Sequence, residues 1–324
     1  MVCTMGQSNT IFHTPTYPKR EPDCKPHAPL WPVGQLTRGE RALRQRLAKQ
    51  GGTASTAPAV RRLIFSFADQ HTRNLPWRHP EVTPYQVMVS EIMLQQTQVD
   101  RVLPKYCSFL SLFPTVHDLA RAALPEVLSA WQGLGYNRRG RNLRDAAVMI
   151  VERWAGVIPD ELALLKTLPG IGEYTASAVM AFAFNKPALV LETNIRAVIL
   201  HLVYPDQSGI TDQLMMHQLA ILQPANEPRR WYNALMDYGS DLKRRFVNPS
   251  RAAKAHTVQS RFEGSDRQIR GELLRLALAQ GVLEGTLLDA VYYGQRERVQ
   301  RILHALVREG LLESAGSGYL IPKA

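Results

Sequence analysis

A glutamate on an apolar helix face is the first residue of this sequence whose setting suggests chemistry. Met88 and Val87 lie three and four positions before Glu91, on the same face of a helix. Gln95 lies four positions after it. Burial among apolar side chains raises the pKa of a carboxyl, so that it stays protonated near neutral pH and can act as a general acid. A solvated helix glutamate is the alternative that the spacing alone leaves open.

A turn with two glycines is the second feature. The string Leu-Pro-Gly-Ile-Gly-Glu-Tyr-Thr-Ala at residues 168–176 predicts a tight hairpin between two helices. We expect Gly170 and Gly172 to supply the positive φ angles that only glycine adopts cheaply. Backbone N–H groups at the start of the second helix would then lie open at the positive end of its dipole, where a phosphate binds. A helical hairpin without a ligand is the alternative.

A third cluster combines arginines with an aromatic ring. Residues 133–141, Gly-Leu-Gly-Tyr-Asn-Arg-Arg-Gly-Arg, place Arg138, Arg139 and Arg141 beside Tyr136. Arginines contact phosphates, aromatic rings stack on or insert between bases, and glycines let a backbone come close. The cluster predicts a phosphate-contacting loop, with a solvated charged face as the alternative.

The helix that would carry Glu91 has a recognisable start. Thr83 as the N-cap and Pro84 in the first turn are typical of a helix N-terminus. The apolar run that follows predicts a helix through Gln96, with Glu91 inside it.

The composition narrows the class of protein. The 324 residues carry a formal net charge of +11 and a pI of about 9.8, which is typical of proteins that meet polyanions, either nucleic acid or an acidic membrane. No stretch approaches the ~18 consecutive apolar residues of a membrane span, and the N-terminus lacks the apolar core of a secretory signal. Cys3, Cys24 and Cys107 are too few and too scattered for a disulfide scaffold or a metal site. We expect a soluble intracellular protein, cytoplasmic and associated with the nucleoid.

The first segment has a different composition. Residues 1–58 are rich in Pro, Thr, Lys and Arg and are predicted to be a disordered basic segment. Within it only residues 36–49 could hold a helix, charged and exposed. A DNA-attracting arm and a passive tail both remain open.

Several strings together identify a family. The hairpin at residues 168–176 resembles that of the helix–hairpin–helix base-excision DNA glycosylases, the superfamily of endonuclease III and the adenine glycosylase MutY. Residues 75–78, Leu-Pro-Trp-Arg, and 90–99, Ser-Glu-Ile-Met-Leu-Gln-Gln-Thr-Gln-Val, are similar to the opening of MutY's catalytic domain. The resemblance covers about residues 60–242. It implies a mainly α fold, the two-lobed HhH-GPD glycosylase core, over residues 59–242.

The resemblance also implies roles for individual residues. Glu91 is the catalytic acid, Gln96 is a wedge left in the duplex, and Thr97 faces the base opposite the lesion. The DNA contacts that it implies are made by Gln96, Thr97, Leu134, Tyr136, Arg138, Arg139, Arg141, Gly170 and Gly172. The base pocket that it implies is lined by Trp77, Arg78 and Asn233. At the hairpin, the family's phosphate grip leaves room for a monovalent cation.

One position separates the two reaction types of this superfamily. In bifunctional relatives a lysine two residues after the second hairpin glycine attacks the sugar and forms a Schiff base. Tyr174 stands there in this chain. A phenol cannot form an imine, so we expect a monofunctional glycosylase without lyase activity. Tyr174 is then a catalytic-site contact to base or sugar, or simply a packed aromatic.

The family's second carboxylate is an aspartate in Asp-Gly-Asn, and this chain departs from that pattern. Here the residues are Glu192, Thr193 and Asn194, so the side chain is one methylene longer and the flexible glycine is absent. Either the carboxylate reaches the same point or the chemistry differs. We expect Glu192 to stabilise the oxocarbenium-like sugar and Asn194 to help place water, in the acid-plus-stabiliser manner of glycoside hydrolysis.

The iron–sulfur loop of the family is also altered. Its four cysteines, spaced Cys-x6-Cys-x2-Cys-x5-Cys, would fall on Lys243, Ser250, Ala253 and Gln259. A [4Fe–4S] cluster needs four thiolates, so no cluster, no other cofactor and no metal centre is expected. Residues 243–264 are predicted to be a basic connector, either a phosphate clamp or a charged linker.

The last 60 residues predict a separate module. Ser265 starts a capping box for a helix that closes at Gly281, helices follow over about 286–292 and 295–310, and residues 311–321 predict a hairpin. Three helices and a β-wing over residues 265–324 indicate a winged-helix-like α+β module. The arginines of its third helix that would suit DNA contact are Arg296, Arg298, Arg301 and Arg308. A packing or partner-binding module is the alternative.

The leading hypothesis is a monomeric base-excision repair glycosylase that flips a base out of duplex DNA. Its substrate would be adenine mispaired with 8-oxoguanine or guanine. A thymine or uracil mismatch glycosylase could use the same core and would explain why MutY's own C-terminal recognition domain is missing. A DNA-binding protein without catalysis, in which Glu192 marks lost activity, is the third hypothesis.

Overall fold

The computed structural model describes residues 34–205, 207–253 and 261–323, and this part of the chain is mainly helical, as predicted. The helices are α1 Arg38–Gln50, α2 Ala57–His71, α3 Pro84–Leu94, α4 Val99–Leu112, α5 Val116–Arg121, α6 Leu124–Trp131, α7 Arg138–Trp154, α8 Leu162–Leu165, α9 Glu173–Phe184, α10 Thr193–Leu202, α11 Asp212–Leu222, α12 Pro228–Arg245, α13 Asp266–Gln280, α14 Gly285–Val291 and α15 Arg296–Arg308. The strands are β1 Val282–Glu284, β2 Glu313–Ala315 and β3 Gly318–Leu320, and 3-10 turns span Pro76–Arg78 and Pro249–Ala252. Across the described ranges, no helix has the length and apolarity needed to cross a bilayer.

Two helical lobes form the body of the protein. The first has a core built from α3 to α8, in which Tyr106, Trp131 and Ile150 are fully buried. The second is built from α1, α2 and α10 to α12 around Trp231 and Tyr238. Helices α3 and α9 contribute buried side chains to both lobes. The lobes are therefore joined through the helix that carries Glu91 and the helix that follows the hairpin.

The N-terminal prediction is corrected over residues 34–58. Thr37 caps α1 in a capping box with Glu40, and Leu43 and Leu47 are buried in the core of the second lobe. The helix is therefore exposed on one side only, because the opposite face packs on the lobe and buries apolar area. Residues 1–33 of the predicted disordered segment lie outside the described residues.

A buried ion-pair network ties α1 to the end of α12. The Arg245 guanidinium contacts Glu40 at 2.6 Å and Asp241 at 2.7 Å, and all three side chains are inaccessible to solvent. Tyr238 also donates a hydrogen bond to Glu40. The predicted basic connector therefore begins differently than expected: α12 continues through Arg245, whose charge faces inward and is not available to a phosphate. Residues 254–260 of that connector lie outside the described residues.

The helix α3 begins as predicted and ends slightly earlier. Thr83 and Gln86 form a capping box at its start. The last helical residue is Leu94, and Gln96 has a φ of +55°. The chain therefore leaves the helix in a turn at the predicted wedge residue.

The C-terminal residues form the predicted three-helix module with a small sheet. Its strands are antiparallel in the order β1-β3-β2, with Tyr319 opposite both Leu283 and Ser314. Leu273, Leu303 and Leu306 fill its core. Two leucines of α6, Leu124 and Leu128, belong to the same core, so the module is docked on the first lobe.

Candidate active site

A cleft of about 1340 Å³ lies between the two lobes. It brings together most of the residues predicted for catalysis and for the base pocket. The predicted residues that line it are Trp77, Arg78, Glu91, Gln96, Thr97, Tyr174, Glu192, Asn194 and Asn233. The predicted DNA contacts that do not line it are Leu134, Tyr136, Arg138, Arg139, Arg141, Gly170 and Gly172. Nine residues between positions 77 and 233 thus line one cavity.

Glu91 has the environment that the helix pattern predicted. It lies in the interior of α3 and only 6% of its surface is exposed, at the floor of the cleft. Burial raises the pKa of the Glu91 carboxyl to about 8, the nearby charge of Glu192 adds to this effect, and Arg78 partly opposes it. The carboxyl is therefore mostly protonated at neutral pH and can donate a proton.

Glu192 is held at the start of α10 by its own helix. Its Oε1 accepts hydrogen bonds from the backbone N–H groups of Asn194 at 2.7 Å and Ile195 at 3.0 Å. Its Oε2 accepts from the Thr193 hydroxyl and from the Asn194 side-chain amide, at 3.1 and 3.3 Å. The longer side chain thus folds back as an N-cap, where the helix dipole favours a negative charge. Asn194 orients this carboxylate directly.

Tyr174 lies in the first turn of α9 and lines the same cleft. Burial raises the pKa of its phenol well above the ordinary value, and the charges of Glu91 and Glu192 act in the same direction. The hydroxyl is therefore neutral at any pH at which the protein would work. It can donate or accept a hydrogen bond at the reacting centre but cannot act as an amine nucleophile.

Arg78, one of the predicted base-pocket residues, is held by an aspartate that the sequence patterns did not indicate. Asp237 in α12 accepts from Arg78 at 2.8 Å and from Arg73 at 2.5 Å. Burial would raise the pKa of Asp237, but the two guanidinium groups outweigh it and hold the pKa below its ordinary value. Trp77 packs edge-on against Tyr106, with ring centroids 5.3 Å apart. These contacts fix one wall of the cleft.

One face of α12 supplies the rest of that wall. Asn233, Asp237 and Ser240 follow one another at helical spacing, and all three line the cleft. Lys243 lies one turn further, and burial lowers the pKa of its ammonium, partly offset by the charge of Glu192. The periodicity from Asn233 is the sequence signal that could have found Asp237 and Lys243.

The arginine loop at residues 133–141 is arranged differently from the prediction. Leu134 is 2% exposed and belongs to the core of the first lobe, so it is not a surface contact in this structure. Arg139 turns inward and donates to backbone carbonyls. Arg141 donates to the backbone oxygen of Glu309 in the C-terminal module. Of the three arginines, only Arg138 is exposed, because the other two find acceptors inside the protein.

Tyr136 is the aromatic of this loop and is 40% exposed, with a φ of +49°. Arg267 of α13 donates to its hydroxyl at 3.2 Å. The C-terminal module therefore touches the loop that was predicted to contact DNA. On α15, Arg298 is engaged by Asp266 at 2.7 Å, whereas Arg296, Arg301 and Arg308 are exposed.

The two hairpin glycines differ from each other. Gly170 has a φ of +75°, and a Cβ there would lie 2.7 Å from Cβ of Asn142. Gly172 has a φ of −88° and is the N-cap of α9, so its backbone does not require glycine. A Cβ at Gly172 would meet no atom within 4 Å. The prediction of positive φ is right for Gly170 and wrong for Gly172, whose missing side chain leaves the N-terminus of α9 open to solvent.

The described ranges contain no cluster of side chains that could bind a metal ion. Nowhere in residues 34–205, 207–253 and 261–323 do three His, Cys, Asp or Glu side chains group closely enough to hold an ion. Cys107 lies in α4, partly buried against the first lobe.

Comparisons with known proteins show which family the chain resembles. A model of the HhH-GPD superfamily of base excision DNA repair proteins matches residues 89–224. The adenine DNA glycosylase of Mycolicibacterium smegmatis is 36% identical over 274 residues, which cover 79% of this chain and 93% of that protein. The adenine DNA glycosylase of Mycobacterium tuberculosis strain H37Rv is 32% identical over 281 residues, covering 79% and 90%. A solved thermostable thymine-DNA glycosylase matches 56% of this chain and 86% of its own, with 26% identity and a TM-score of 0.48. The chain belongs to the adenine DNA glycosylases of the HhH-GPD superfamily of base excision repair proteins.

Proposed function

We propose that this protein is a monofunctional DNA glycosylase that removes adenine mispaired with 8-oxoguanine or guanine. The observation that carries this proposal is the buried carboxyl of Glu91, whose pKa is about 8, in a cleft that also holds the capped carboxylate of Glu192. One group can donate a proton at neutral pH while the other supplies negative charge, which is the division of labour that cleavage of a glycosidic bond needs.

The proposed reaction uses these two groups in turn. Adenine is extruded from the duplex into the cleft and Glu91 donates its proton to N7. The bond between C1′ and N9 then breaks, and its electron pair leaves with the protonated base. Glu192 stabilises the resulting oxocarbenium-like sugar across the cleft. Water then adds to C1′ and its released proton passes to the Glu91 carboxylate, which restores the acid. Asn194 keeps the Glu192 carboxylate oriented through its 3.3 Å contact.

Tyr174 supports a monofunctional enzyme. It stands at the position where a Schiff-base lysine would be required, and its high pKa keeps it a neutral hydrogen-bonding group. The product is therefore an intact strand with an abasic site, which breaks only after treatment with alkali.

Duplex DNA is proposed to lie across the mouth of the cleft. The chain has a formal net charge of +11, the N-terminus of α9 is open at Gly172, and Arg138 and Tyr136 are exposed. Gln96, two residues beyond the end of α3, is exposed, which supports its proposed role as a wedge. A monovalent cation at the hairpin and a monomeric protein belong to the same proposal.

The residues present do not fit an iron–sulfur cluster. Lys243, Ser250, Ala253 and Gln259 carry no thiol, and the whole chain has three cysteines where four thiolates are required. We therefore propose a glycosylase whose α12 is secured without a cluster, through the buried contacts of Arg245 with Glu40 and Asp241.

The test is base release under single-turnover conditions, with enzyme in excess. Matched duplexes would carry A opposite 8-oxoguanine, A opposite G, T opposite G and U opposite G, and the products would be separated before and after alkali. Wild type would be compared with Glu91→Gln and Glu192→Gln. Glu152→Gln is the matched control, because Glu152 is an exposed glutamate on α7.

We expect alkali-dependent cleavage at the adenine, abolished in the two cleft variants and unchanged in the control. Release of T or U would instead identify a thymine or uracil mismatch glycosylase. No release from any duplex, together with unchanged DNA binding in Glu91→Gln, would indicate a binding protein and overturn the proposal.

A further inference from the structure

The guanidinium group of Arg139 is partly buried and contacts the end of one helix and two loops. Its Nη1 donates to backbone oxygens at the end of α3, and its Nη2 donates to the segments that follow α3 and α6. The acceptors of Nη1 are the backbone oxygens of Ile92 at 2.8 Å, Met93 at 2.9 Å and Gln95. The acceptors of Nη2 are the Thr97 hydroxyl at 3.0 Å and the backbone oxygens of Leu134 at 3.3 Å and Gly135 at 3.1 Å.

The first set of acceptors belongs to the last turn of the helix that carries Glu91. The final carbonyls of a helix have no partner within the helix, and they form the negative end of its dipole. The arginine guanidinium is a planar cation with several N–H donors, so it can donate to these carbonyls and neutralise the negative end of the dipole. Arg139 therefore caps α3 from outside its own sequence, starting one residue beyond Glu91.

The second set joins two turns in unusual backbone conformations. Gln96 and Tyr136 are non-glycine residues with φ angles of +55° and +49°. Such conformations are costly and persist where surrounding contacts hold them. Arg139 contacts the residues on either side of Gln96, and its guanidinium lies 5.5 Å from the ring centroid of Tyr136. One side chain thus supports both turns.

Arg139 is partly buried. Burial lowers the pKa of its guanidinium to about 10, partly opposed by Tyr136. The carbonyl oxygens compensate the buried charge, so an outward rotation toward a phosphate would leave those oxygens without their donor.

We propose that Arg139 is a positioning residue that fixes the end of the catalytic helix and the Gln96 and Tyr136 turns in one arrangement. Through it, the acid at Glu91 and the wedge at Gln96 meet the duplex in a fixed geometry. This inference rests on the glycosylase function proposed above. It also replaces the sequence-based role of Arg139 as a phosphate contact.

The test compares Arg139→Lys with Arg144→Lys. Arg144 is on the same helix, partly buried, and donates to the backbone oxygen of Ala122 at 2.8 Å, away from the cleft. Both variants keep the charge and lose a guanidinium held by backbone oxygens. Each variant is assayed for its single-turnover rate at saturating enzyme. Its affinity for a duplex with an uncleavable adenosine analogue, and the salt dependence of that affinity, are measured as well. All assays are run at a temperature well below the thermal unfolding midpoint of the variant.

We expect Arg139→Lys to lower the saturating rate about tenfold to a hundredfold, because misplacement of a reacting group by about 1 Å has effects of that size. Its salt dependence should match wild type, since no phosphate contact is lost. Arg144→Lys should keep the wild-type rate. For comparison, Arg138→Gln should reduce the slope of log affinity against log salt by about 0.9, the value for one phosphate contact.

Three results would overturn the inference. A reduced salt slope with an unchanged saturating rate in Arg139→Lys would return the residue to phosphate binding. Equal rates in Arg139→Lys, Arg144→Lys and wild type would leave it a structural arginine only. If Arg139→Lys does not fold, Thr97→Val removes one acceptor of Arg139, and a wild-type saturating rate there would count against the proposal. Absence of base release by the wild type itself would instead refute the glycosylase function.

Discussion

The raised pKa of Glu91 predicts a pH-dependent penalty on folding that Glu91→Gln should remove. Burial, helped by Glu192, raises this pKa from 4.5 to about 8. The folded protein therefore keeps a proton between these pH values that the unfolded chain releases, so stability falls as pH rises, by about 1.4 kcal/mol per pH unit. The full loss, complete above about pH 8, is about 5 kcal/mol. The penalty is absent below pH 4.5, where both states are protonated.

Urea unfolding of wild type and Glu91→Gln measures this penalty. Between about pH 5.5 and about pH 7.5, the free energy of unfolding of Glu91→Gln should rise relative to wild type by about 2.5 kcal/mol. Glu152→Gln, at an exposed site, should show the same difference from wild type at both pH values. In wild type, the saturating rate of base release should decline above about pH 8, where the acid loses its proton. A difference between Glu91→Gln and wild type that does not change with pH would refute the reasoning.

Two further predictions concern stability and DNA binding. Gly170→Ala should destabilise the protein by at least about 1–2 kcal/mol, because the positive φ disfavours a side chain and Asn142 occupies the space of the new Cβ. Gly172→Ala should change the free energy of unfolding by no more than about 0.5 kcal/mol, but it should weaken DNA binding. Denaturant titration and duplex affinity separate the two, and equal stability losses would contradict the assignment. Arg245→Met should cost about 3–5 kcal/mol of unfolding free energy, because it leaves Glu40 buried without its cation. A loss below about 1 kcal/mol would mean that the pair is not buried in solution.

Local sequence signals predicted those elements whose cause is local. The capping box at Thr83, the helix that follows it and the apolar surroundings of Glu91 depend on residues within a few positions, and all are present in the structure. The tail helices were predictable for the same reason, since Ser265 caps α13 and Gly281 ends it. The resemblance to the family predicted that Glu91 and Glu192 share one site, and both residues line the cleft between the lobes.

The sequence did not predict contacts between segments that are far apart in the chain. A run of basic residues looks solvated, but Arg139 is half-buried and Arg245 fully buried, because carbonyls and carboxylates from other helices accept their hydrogen bonds. The N-terminal helix α1 looks charged and exposed until the second lobe supplies a surface for Leu43 and Leu47. Asp237 carried no signal except its spacing from Asn233 on α12.

The sequence by itself determined the family, the mainly helical fold, the glutamate at position 91 that is proposed as the acid, and the absence of both a Schiff-base lysine at Tyr174 and the four cluster cysteines. These depend on residue identity and on short-range spacing. Only the tertiary structure decided which charges face solvent and which are buried. That choice depends on the acceptors that other segments bring within about 3 Å of a donor, and a buried charge is tolerated only where such acceptors exist.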